Sequence, residues 1–504
     1  MNNPKNTLNS WCGKQRYFPL VFVPISFLFL CLYAKVTSPF FLYDGTDSAI
    51  FKTIGLAILN GKVPYADIFD HKGPILFFIN ALGQWIAPGR PGIFLLEVIN
   101  LSFSLFFLFK ISKLYSHPSV AFLCTLAALF FMGACLTEGD QVEEWEMPFL
   151  ALALYEGLCF LRNGTAGFSF KACFILGFSC AYILFIRPND AVAIPGGVML
   201  GMSLCVLFKR QYALLFRGVL SFFLGLLPVV LPVFIYFASH HAVGDLINGT
   251  FLVNASYAGG FKEQLLSCFG HGKLALVPLL IALLALSARS RGKDAWIILL
   301  PVSLLTYLFM GPRLYLHYYM VLVPTICLYL TFLMTGKDKP LVLLAAAVLL
   351  FSQQAWGESF LKTGRKALQH RIEVLRSGQQ DIARYYEETD RLLEMVPEEE
   401  KDQIWNYNLG WTNTGQSSFS MYIHKNLVQS NIITFGANDD LIRKDDIRTH
   451  SPRWLLKDNR MVPLWERMWL NDPDRLHYIE THFIPVARTD TTVCDITLYR
   501  WKDQ

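Results

Sequence analysis

Residues 43–74 place acidic and basic side chains between two apolar runs of the chain. Carboxylate, imidazole and ammonium groups are close together there, and such groups can move a proton or bind a phosphate. The members are Asp44, Asp47, Lys52, Asp67, Asp70, His71 and Lys72. Ionisable groups beside lipid are costly and usually mark function. The segment therefore predicts a site at a membrane surface.

Asp44 and Asp47 directly follow the first apolar run. A carboxylate at the edge of a bilayer can deprotonate a hydroxyl, because partial desolvation raises its pKa toward a useful value. Thr46 and Asp47 also precede a helical pattern, so an Asx turn or a helix cap explains them as well. The sequence leaves both interpretations open.

The run DIFDHKGP, residues 67–74, holds the highest density of charge. Lys72 precedes a Gly-Pro turn and can reach a phosphate as a compact charge, while Asp70 or His71 orients it and Asp67 lies in the same substrate loop. A solvated turn with a local ion pair, worth about 0–1 kcal/mol, is the alternative. The position beside an apolar run favours function.

Two further groups of residues precede or join later apolar runs. In TEGDQVEEWEMP, residues 137–148, we favour Glu143 and Glu144 as ligands for an acceptor or for a divalent cation, Mg²⁺ or Mn²⁺, and we expect the other acids at the surface. A polar hairpin cap is the alternative. In IRPND and GPRLYLHYYM, Arg187, Arg313 and His317 form a basic set. Of these, Arg187 and His317 are predicted to bind phosphate, as are Lys72 and His71. The tyrosines at 315, 318 and 319 are expected to be interfacial belt residues.

The composition describes a polytopic α-helical membrane protein. Of the 504 residues 53% are apolar and only 16% are charged, and the mean hydropathy is +0.37. Most of the eleven cysteines lie inside apolar runs, where they act as small hydrophobic residues. The net charge of +5 reflects the placement of lysine and arginine beside membrane spans, so it does not indicate a nucleic-acid partner.

About eleven apolar runs are long enough to cross a hydrocarbon core of about 30 Å. They are residues 17–37, 92–114, 118–136, 147–161, 168–186, 190–208, 212–238, 272–288, 294–311, 316–335 and 339–356. Lysine and arginine occupy every second loop, which the positive-inside rule assigns to the cytoplasm. The acidic loops and the C-terminal tail are then extracytoplasmic.

The chain is predicted to form two domains. Residues 1–356 form the membrane domain with a first outer loop at 38–91, in which Ser48–Leu59 and Pro74–Ile86 are expected to be amphipathic helices along the interface. Residues 357–504 form a small α/β domain with a charged helix at 358–395. Strands are expected at Gln403–Tyr407, Trp454–Leu456, His482–Ala487 and Val493–Arg500.

The membrane domain resembles the GT-C glycosyltransferases, in particular the family 39 and protein O-mannosyltransferase-like group. DSAIFKTIGLAILNGKVPYADIFDHKGPILFFINAL and, more loosely, GPRLYLHYYMVLVP carry the resemblance. It implies that Asp47 is the general base, with Asp44 as its rival, and that Lys72 meets the donor phosphate. Glu143 or Glu144 matches a second acidic position. Family members have a Lys-Pro element where this chain has a glycine between Lys72 and Pro74.

The resemblance implies an inverting transfer of a sugar from a polyprenyl-phosphate donor to a glycan, lipid or protein acceptor. The expected location is the bacterial inner membrane, with the active face and the C-terminus in the periplasm. A transporter or flippase for lipid-linked saccharides would also need many spans, but it would place ionisable residues near the bilayer midplane, where Glu97 and Glu156 are the clearest candidates. A scaffold whose tail binds an envelope protein is the third possibility.

Overall fold

The computed structural model describes residues 20–42, 45, 47–257, 295–309, 315–335, 360–377, 379–407, 410–412, 419–421, 453–459 and 473–502. The helices of these ranges are α1 (Phe22–Tyr33), α2 (Asp47–Leu59), α3 (Pro74–Ile86), α4 (Pro91–Lys113), α5 (Pro118–Cys135), α6 (Val142–Asn163), α7 (Phe170–Leu184), α8 (Pro188–Phe208), α9 (Tyr212–Ser239), α10 (Ala295–Phe309), α11 (Leu316–Thr335), α12 (Phe360–Ser377), α13 (Gln380–Leu393) and α14 (Pro473–His482). Between α9 and α10, a π-helical turn at Asn248–Leu252 joins the short helices Val243–Ile247 and Val253–Tyr257. A second π-helical turn, Val192–Gly196, lies inside α8.

Nine of the predicted spans coincide with described helices, namely α1 and α4 to α11. Of these, α4, α5, α8, α9 and α11 are long and apolar enough to cross a membrane by length and composition. The predicted spans 272–288 and 339–356 lie outside the described residues. Long apolar runs thus locate the helices, because a chain in lipid must satisfy its backbone hydrogen bonds within each segment.

The helices α2 and α3 pack against each other as a close pair. Gly55 makes this possible, since a Cβ atom there would lie 2.7 Å from the backbone nitrogen of Ala81. Both helices form where they were predicted, but nine of the thirteen residues of α2 are buried. We expected α2 to be an amphipathic helix with one exposed face, and this was wrong. It is enclosed, and its buried apolar side chains join a core with α3, α7 and α9.

The loops sort to the two ends of the bundle as the charge pattern predicted. At one end, the Val36 amide after α1 donates to the Glu138 carbonyl after α5, and the Gly73 amide after α2 donates to the Ile186 carbonyl after α7. Arg187, also after α7, contacts Tyr318 at the start of α11. At the other end, Arg162 donates a hydrogen bond to the carbonyl of Leu114 at 3.3 Å, and Lys110 lies 4.5 Å from the ring centroid of Tyr155. Which end faces the cytoplasm remains a prediction.

The tail contains a four-stranded sheet beside the helix α13, whereas α12 packs against α5 and α1. Its strands are β1 (Ile404–Tyr407), β4 (Trp454–Asp458), β5 (Phe483–Asp490) and β6 (Asp495–Trp501), and β2 (Gly410–Thr412) pairs separately with β3 (Phe419–Met421). The order in the larger sheet is β1-β4-β6-β5, with β1 and β4 parallel and the other pairs antiparallel. All four predicted strands are present. The predicted single helix 358–395 is two helices, because the backbone takes a left-handed conformation at Gln379 (φ 52°).

Candidate functional site

Lys72 is held in place by its two preceding residues. Its ammonium lies 3.2 Å from Nε2 of His71, and Nδ1 of the same ring lies 3.0 Å from the buried carboxylate of Asp70. A lysine has only donors, so Nε2 must accept and Nδ1 must carry the proton that is donated to Asp70. Three consecutive residues therefore form a chain of hydrogen bonds that ends at the partly exposed Lys72 amine.

The glycine between Lys72 and Pro74 docks this loop onto the end of α7. The Gly73 amide donates a hydrogen bond to the carbonyl of Ile186 at 2.8 Å, and the Ile75 amide donates to that of Phe185 at 3.1 Å. A Cβ atom on Gly73 would lie 2.1 Å from the Phe185 oxygen. The inserted glycine therefore allows two backbones to meet directly, and this contact brings Lys72 beside the segment that carries Arg187.

Residues 243–257 also contact the loop that carries Lys72. Tyr65 donates a hydrogen bond to the backbone carbonyl of Lys72 at 2.6 Å and receives one from Thr250 at 3.1 Å. Asn254 donates to the carbonyl of His71 at 2.6 Å. Sequence reasoning missed these residues, because their partners are about 180 positions away along the chain. The sequence signal nearest to this role is the run NGTFLVNAS, which holds polar residues between two apolar segments.

Arg187 joins three elements at the same end of the molecule. Its Nη1 atom forms an ion pair with Glu143 on α6 and lies 3.4 Å from Asp190 in the first turn of α8. Its guanidinium carbon lies 3.9 Å from the ring centroid of Tyr318 at the start of α11. Tyr319 is buried, so the expectation that it is an interfacial belt residue was wrong. Tyr318 is partly exposed and contacts Arg187, and its place in a belt stays a prediction.

His317 and Asp47 complete the group. His317 lies within electrostatic range of Glu143, Asp47, Arg187 and Lys72, and Asp47 also acts on His71. Asp47 is the first residue of α2, where the helix dipole stabilises a carboxylate. Side chains that are far apart in sequence therefore converge, and the five partly exposed ones are Asp47, His71, Lys72, Arg187 and His317. We call these five residues the outer polar cluster.

The charges around Lys72 set the protonation of its neighbours. Burial alone would raise the pKa of Asp70, but the charges of Lys72 and His71 and the hydrogen bonds from His71 lower this pKa to about 2. Burial lowers the pKa of His71, and the Lys72 charge lowers it further. His71 is thereby neutral and Asp70 ionised at neutral pH, which is the pattern that the hydrogen bonds require.

A second, fully buried group of acids lies next to the outer polar cluster. Asp140 accepts hydrogen bonds from Ser48 at 2.7 Å, from Trp145 at 2.8 Å and from Asn80 at 3.2 Å, and its amide donates to Glu97. Burial raises the pKa of Asp140 to about 6. This group fastens the start of α2 to α3, α4 and α6, so it supports the helix that carries Asp47.

The acids of residues 137–148 are more deeply buried than the sequence suggested. Glu144 is buried beside Glu97 and Asp140, so its predicted acceptor role is untested and this conformation offers it no exposed surface. Glu146 is buried beside Asp190. We expected Glu146 and Asp140 at the surface, and this was wrong. Of the two favoured acids, only Glu143 reaches the outer polar cluster.

Three other residues singled out in the sequence are not part of the cluster, because they lie apart from it or outside the described residues. Asp67 accepts a hydrogen bond from the Val63 amide at 2.7 Å and closes a turn, so its predicted contact with substrate is untested. Asp44 and Arg313 lie outside the described residues. In the part of the chain that the structure describes, no group of three His, Cys, Asp or Glu side chains is placed to hold a metal ion. The predicted Mg²⁺ or Mn²⁺ ion remains untested, and we assign it no role.

The fold has a counterpart among solved structures. The crystal structure of ArnT from Cupriavidus metallidurans bound to undecaprenyl phosphate matches 95% of this chain and 97% of its own, with a TM-score of 0.56 and 12% sequence identity. ArnT is a GT-C glycosyltransferase of family 83. This chain therefore has the GT-C fold and is a polytopic membrane protein, which confirms the fold that the sequence resemblance implied.

The membrane domain also matches a family model, described as "Putative competence-induced protein Ccs4 N-terminal domain", over residues 18–342. The match covers more than half of the chain, and the chain belongs to this family. A comparison with curated proteins gives no match.

Proposed function

We propose that the protein is a glycosyltransferase that moves a sugar from a polyprenyl-phosphate donor to an acceptor hydroxyl at the membrane surface. The observation that carries the proposal is the convergence of one carboxylate, Asp47, with the cations of Lys72 and Arg187. A transfer of this kind needs a base for the acceptor and positive charge for the departing phosphate. The fold is that of ArnT, whose crystal structure contains undecaprenyl phosphate.

Asp47 has the position expected of the base. It is partly exposed at the first turn of α2, and the neighbouring Ser48 is bonded to Asp140. The carboxylate would take the proton of the acceptor as the hydroxyl attacks the anomeric carbon. The bond from that carbon to the phosphate oxygen breaks on the opposite side, so the sugar inverts its configuration and the polyprenyl phosphate leaves with its electrons.

Lys72 and Arg187 would stabilise the departing phosphate. The contacts of Arg187 with Glu143 and Asp190 both use Nη1, and we assign Nη2 and Nε to two phosphate oxygens. Stacking on Tyr318 fixes the plane of the guanidinium. His71 has Asp70 and Lys72 on its two ring nitrogens, so we assign it to the orientation of Lys72. His317 would contact the phosphate from the start of α11.

The alternative of a lipid-linked saccharide transporter rested on acids in the middle of spans. Glu97 accepts a hydrogen bond from the Asp140 amide at 2.6 Å, so it lies at the end of the bundle that holds the outer polar cluster. Glu156 lies near Lys110 and Lys171, about three helical turns along α6 from Glu144, the neighbour of Glu97. Glu97 and Glu156 therefore do not form one site between the helices, as a transporter site built on both acids would require, and we favour the enzyme. We further propose that the active face and the tail are periplasmic at the inner membrane.

The test is sugar transfer in proteoliposomes. The unmutated protein and its Asp47→Asn variant receive radiolabelled polyprenyl-phosphate sugars and cell-envelope material as acceptor. We expect Asp47→Asn to lower the rate by about 100- to 10,000-fold without weakening the binding of undecaprenyl phosphate. Asp245→Asn, at an exposed position of the 243–257 segment, is the matched control. Equal rates for Asp47→Asn and the unmutated protein would exclude this mechanism, and head-group movement without transfer would favour the transporter.

A further inference from the structure

The tail contacts the segment that leads into Asp47, and Arg371 on α12 makes the deepest of these contacts. Its side chain is only 2% exposed although it belongs to a charged tail helix. Nη2 donates to the carbonyls of Tyr33 at 3.2 Å and Leu136 at 2.9 Å, which lie at the C-terminal ends of α1 and α5. The guanidinium also lies 4.9 Å from the Tyr33 ring centroid. One cation therefore neutralises the negative ends of two membrane helices.

Gln379, at the break between α12 and α13, makes a second contact. Its Oε1 accepts a hydrogen bond from the Leu42 amide at 2.7 Å, and its Nε2 donates to the Phe40 carbonyl at 3.0 Å. The amide side chain thus pairs with the backbone of residues 40–42 as a neighbouring strand would. Gln379 has a left-handed backbone conformation, which is unfavourable for a residue with a side chain. The two hydrogen bonds to residues 40–42 must offset this conformational free energy.

Residues 34–42 also form hydrogen bonds with the membrane domain. The Val36 amide donates to the Glu138 carbonyl at 3.0 Å, and Lys52 on α2 donates to the Val36 carbonyl at 3.0 Å. Val36 packs against Ile382 of α13. Residues 34–42 therefore lie between the tail helices and α2, the helix that begins with Asp47.

We propose that Arg371 and Gln379 are positioning residues that hold Asp47 in its reactive geometry through residues 34–42. The tail helices are then part of the catalytic apparatus and not a separate binding module. This inference rests on the proposed function for its catalytic consequence. Its structural consequence, the ordering of residues 34–42 by the tail, is measurable without any transfer assay.

The first measurement is hydrogen exchange of residues 34–42 in the full-length protein, in the unmutated form and in Arg371→Gln and Gln379→Ala. We expect the Leu42 amide to exchange at least about tenfold faster in Gln379→Ala, because it loses its acceptor. Arg371→Gln should speed exchange through the whole segment. Arg376→Gln, which changes an exposed arginine of the same helix, should have no effect. Unchanged exchange in both variants would overturn the proposal.

The second measurement separates kcat from KM for the donor. Displacement of Asp47 should lower kcat by about tenfold or more, whereas KM for the donor, which depends on Lys72 and Arg187, should change less than about twofold. Gln379→Glu keeps the acceptor for Leu42 and loses the donor to Phe40, so its kcat should be intermediate. Faster exchange with an unchanged kcat would show that the tail orders the segment without acting on Asp47, and would overturn the proposal.

The two proposals fail in different ways. If Asp47→Asn transferred sugar as fast as the unmutated protein, the assignment of Asp47 as the base would be wrong. The hydrogen-exchange rates of the tail variants would still show whether the tail orders residues 34–42. If Asp47→Asn were inactive and both tail variants kept the unmutated kcat, the proposed glycosyltransferase activity would be supported. The positioning role of Arg371 and Gln379 would then be wrong. Arg371→Gln is the more disruptive change because it removes a buried charge. Gln379→Ala, at a half-buried position, decides the matter if Arg371→Gln does not fold.

Discussion

The Gly73 amide donates a hydrogen bond to the carbonyl oxygen of Ile186 at 2.8 Å. A Cβ atom at position 73 would lie 2.1 Å from the neighbouring Phe185 oxygen, so only glycine allows this contact without displacement. The contact connects the loop of Lys72 to the residue before Arg187. The two cations proposed to bind phosphate are thus set side by side by one backbone contact between distant segments.

Gly73→Ala should separate these cations. The added methyl group must push residues 72–74 away from α7, which we expect to destabilise the protein by about 1–3 kcal/mol and to slow transfer by about 100-fold. Thermal unfolding and a transfer assay measure the two effects. Gly244→Ala is the control, because a Cβ atom there meets nothing within 4 Å. A fully active Gly73→Ala variant would show that the contact does not place Lys72.

Lys72→Ala should remove a phosphate contact while the fold is kept. Lys72 is partly exposed, and its loop is anchored through backbone groups. We expect kcat to fall by about 100- to 1,000-fold, since the charge acts mainly on the departing phosphate. Steady-state transfer with a polyprenyl-phosphate sugar tests this. Lys62→Ala, in the same outer segment, should retain the full rate, and similar losses in both variants would contradict the assignment.

The effects of substituting Arg187 and Glu143 on the free energy of unfolding should not be additive. Arg187→Ala leaves Glu143 and Asp190 buried without their cation, and we expect it to cost about 3–5 kcal/mol. Glu143→Ala relieves part of this cost, so the double variant should be more stable than the sum of the single changes predicts, by about 1–3 kcal/mol. Urea unfolding of the four proteins in detergent measures this coupling energy. Additive losses would mean that the ion pair does not hold α6 to the start of α8.

Acid should lower the free energy of unfolding by protonating Asp70. Its pKa is lowered from an ordinary 3.8 to about 2, so the folded state favours the ionised form. The resulting stability is present above pH 4 and is lost as the pH falls toward 2. The effect should amount to about 2 kcal/mol. Unfolding free energies between pH 5 and 2 should fall less steeply for Asp70→Asn than for the unmutated protein, and equal slopes would exclude this origin.

Local pattern sufficed for much of the architecture. Apolar length located nine of the described helices, and strand-like runs located four of the six described strands of the tail, because both signals depend on neighbours along the chain. The alternation of basic and acidic loops correctly grouped Lys72, Glu143, Arg187 and His317 at one end of the molecule. The amino-acid sequence by itself therefore determined which residues could meet.

The tertiary structure decided which of them do meet. Nothing local distinguishes Glu143 from Glu144, yet one turns to Arg187 and the other to Glu97, because each acid faces a different helix of the bundle. The same holds for Asp67, which closes a turn, and for Arg371, whose three carbonyl partners lie more than 230 residues away. Burial and ion pairing depend on contacts between distant segments, and such contacts leave no periodicity in the sequence.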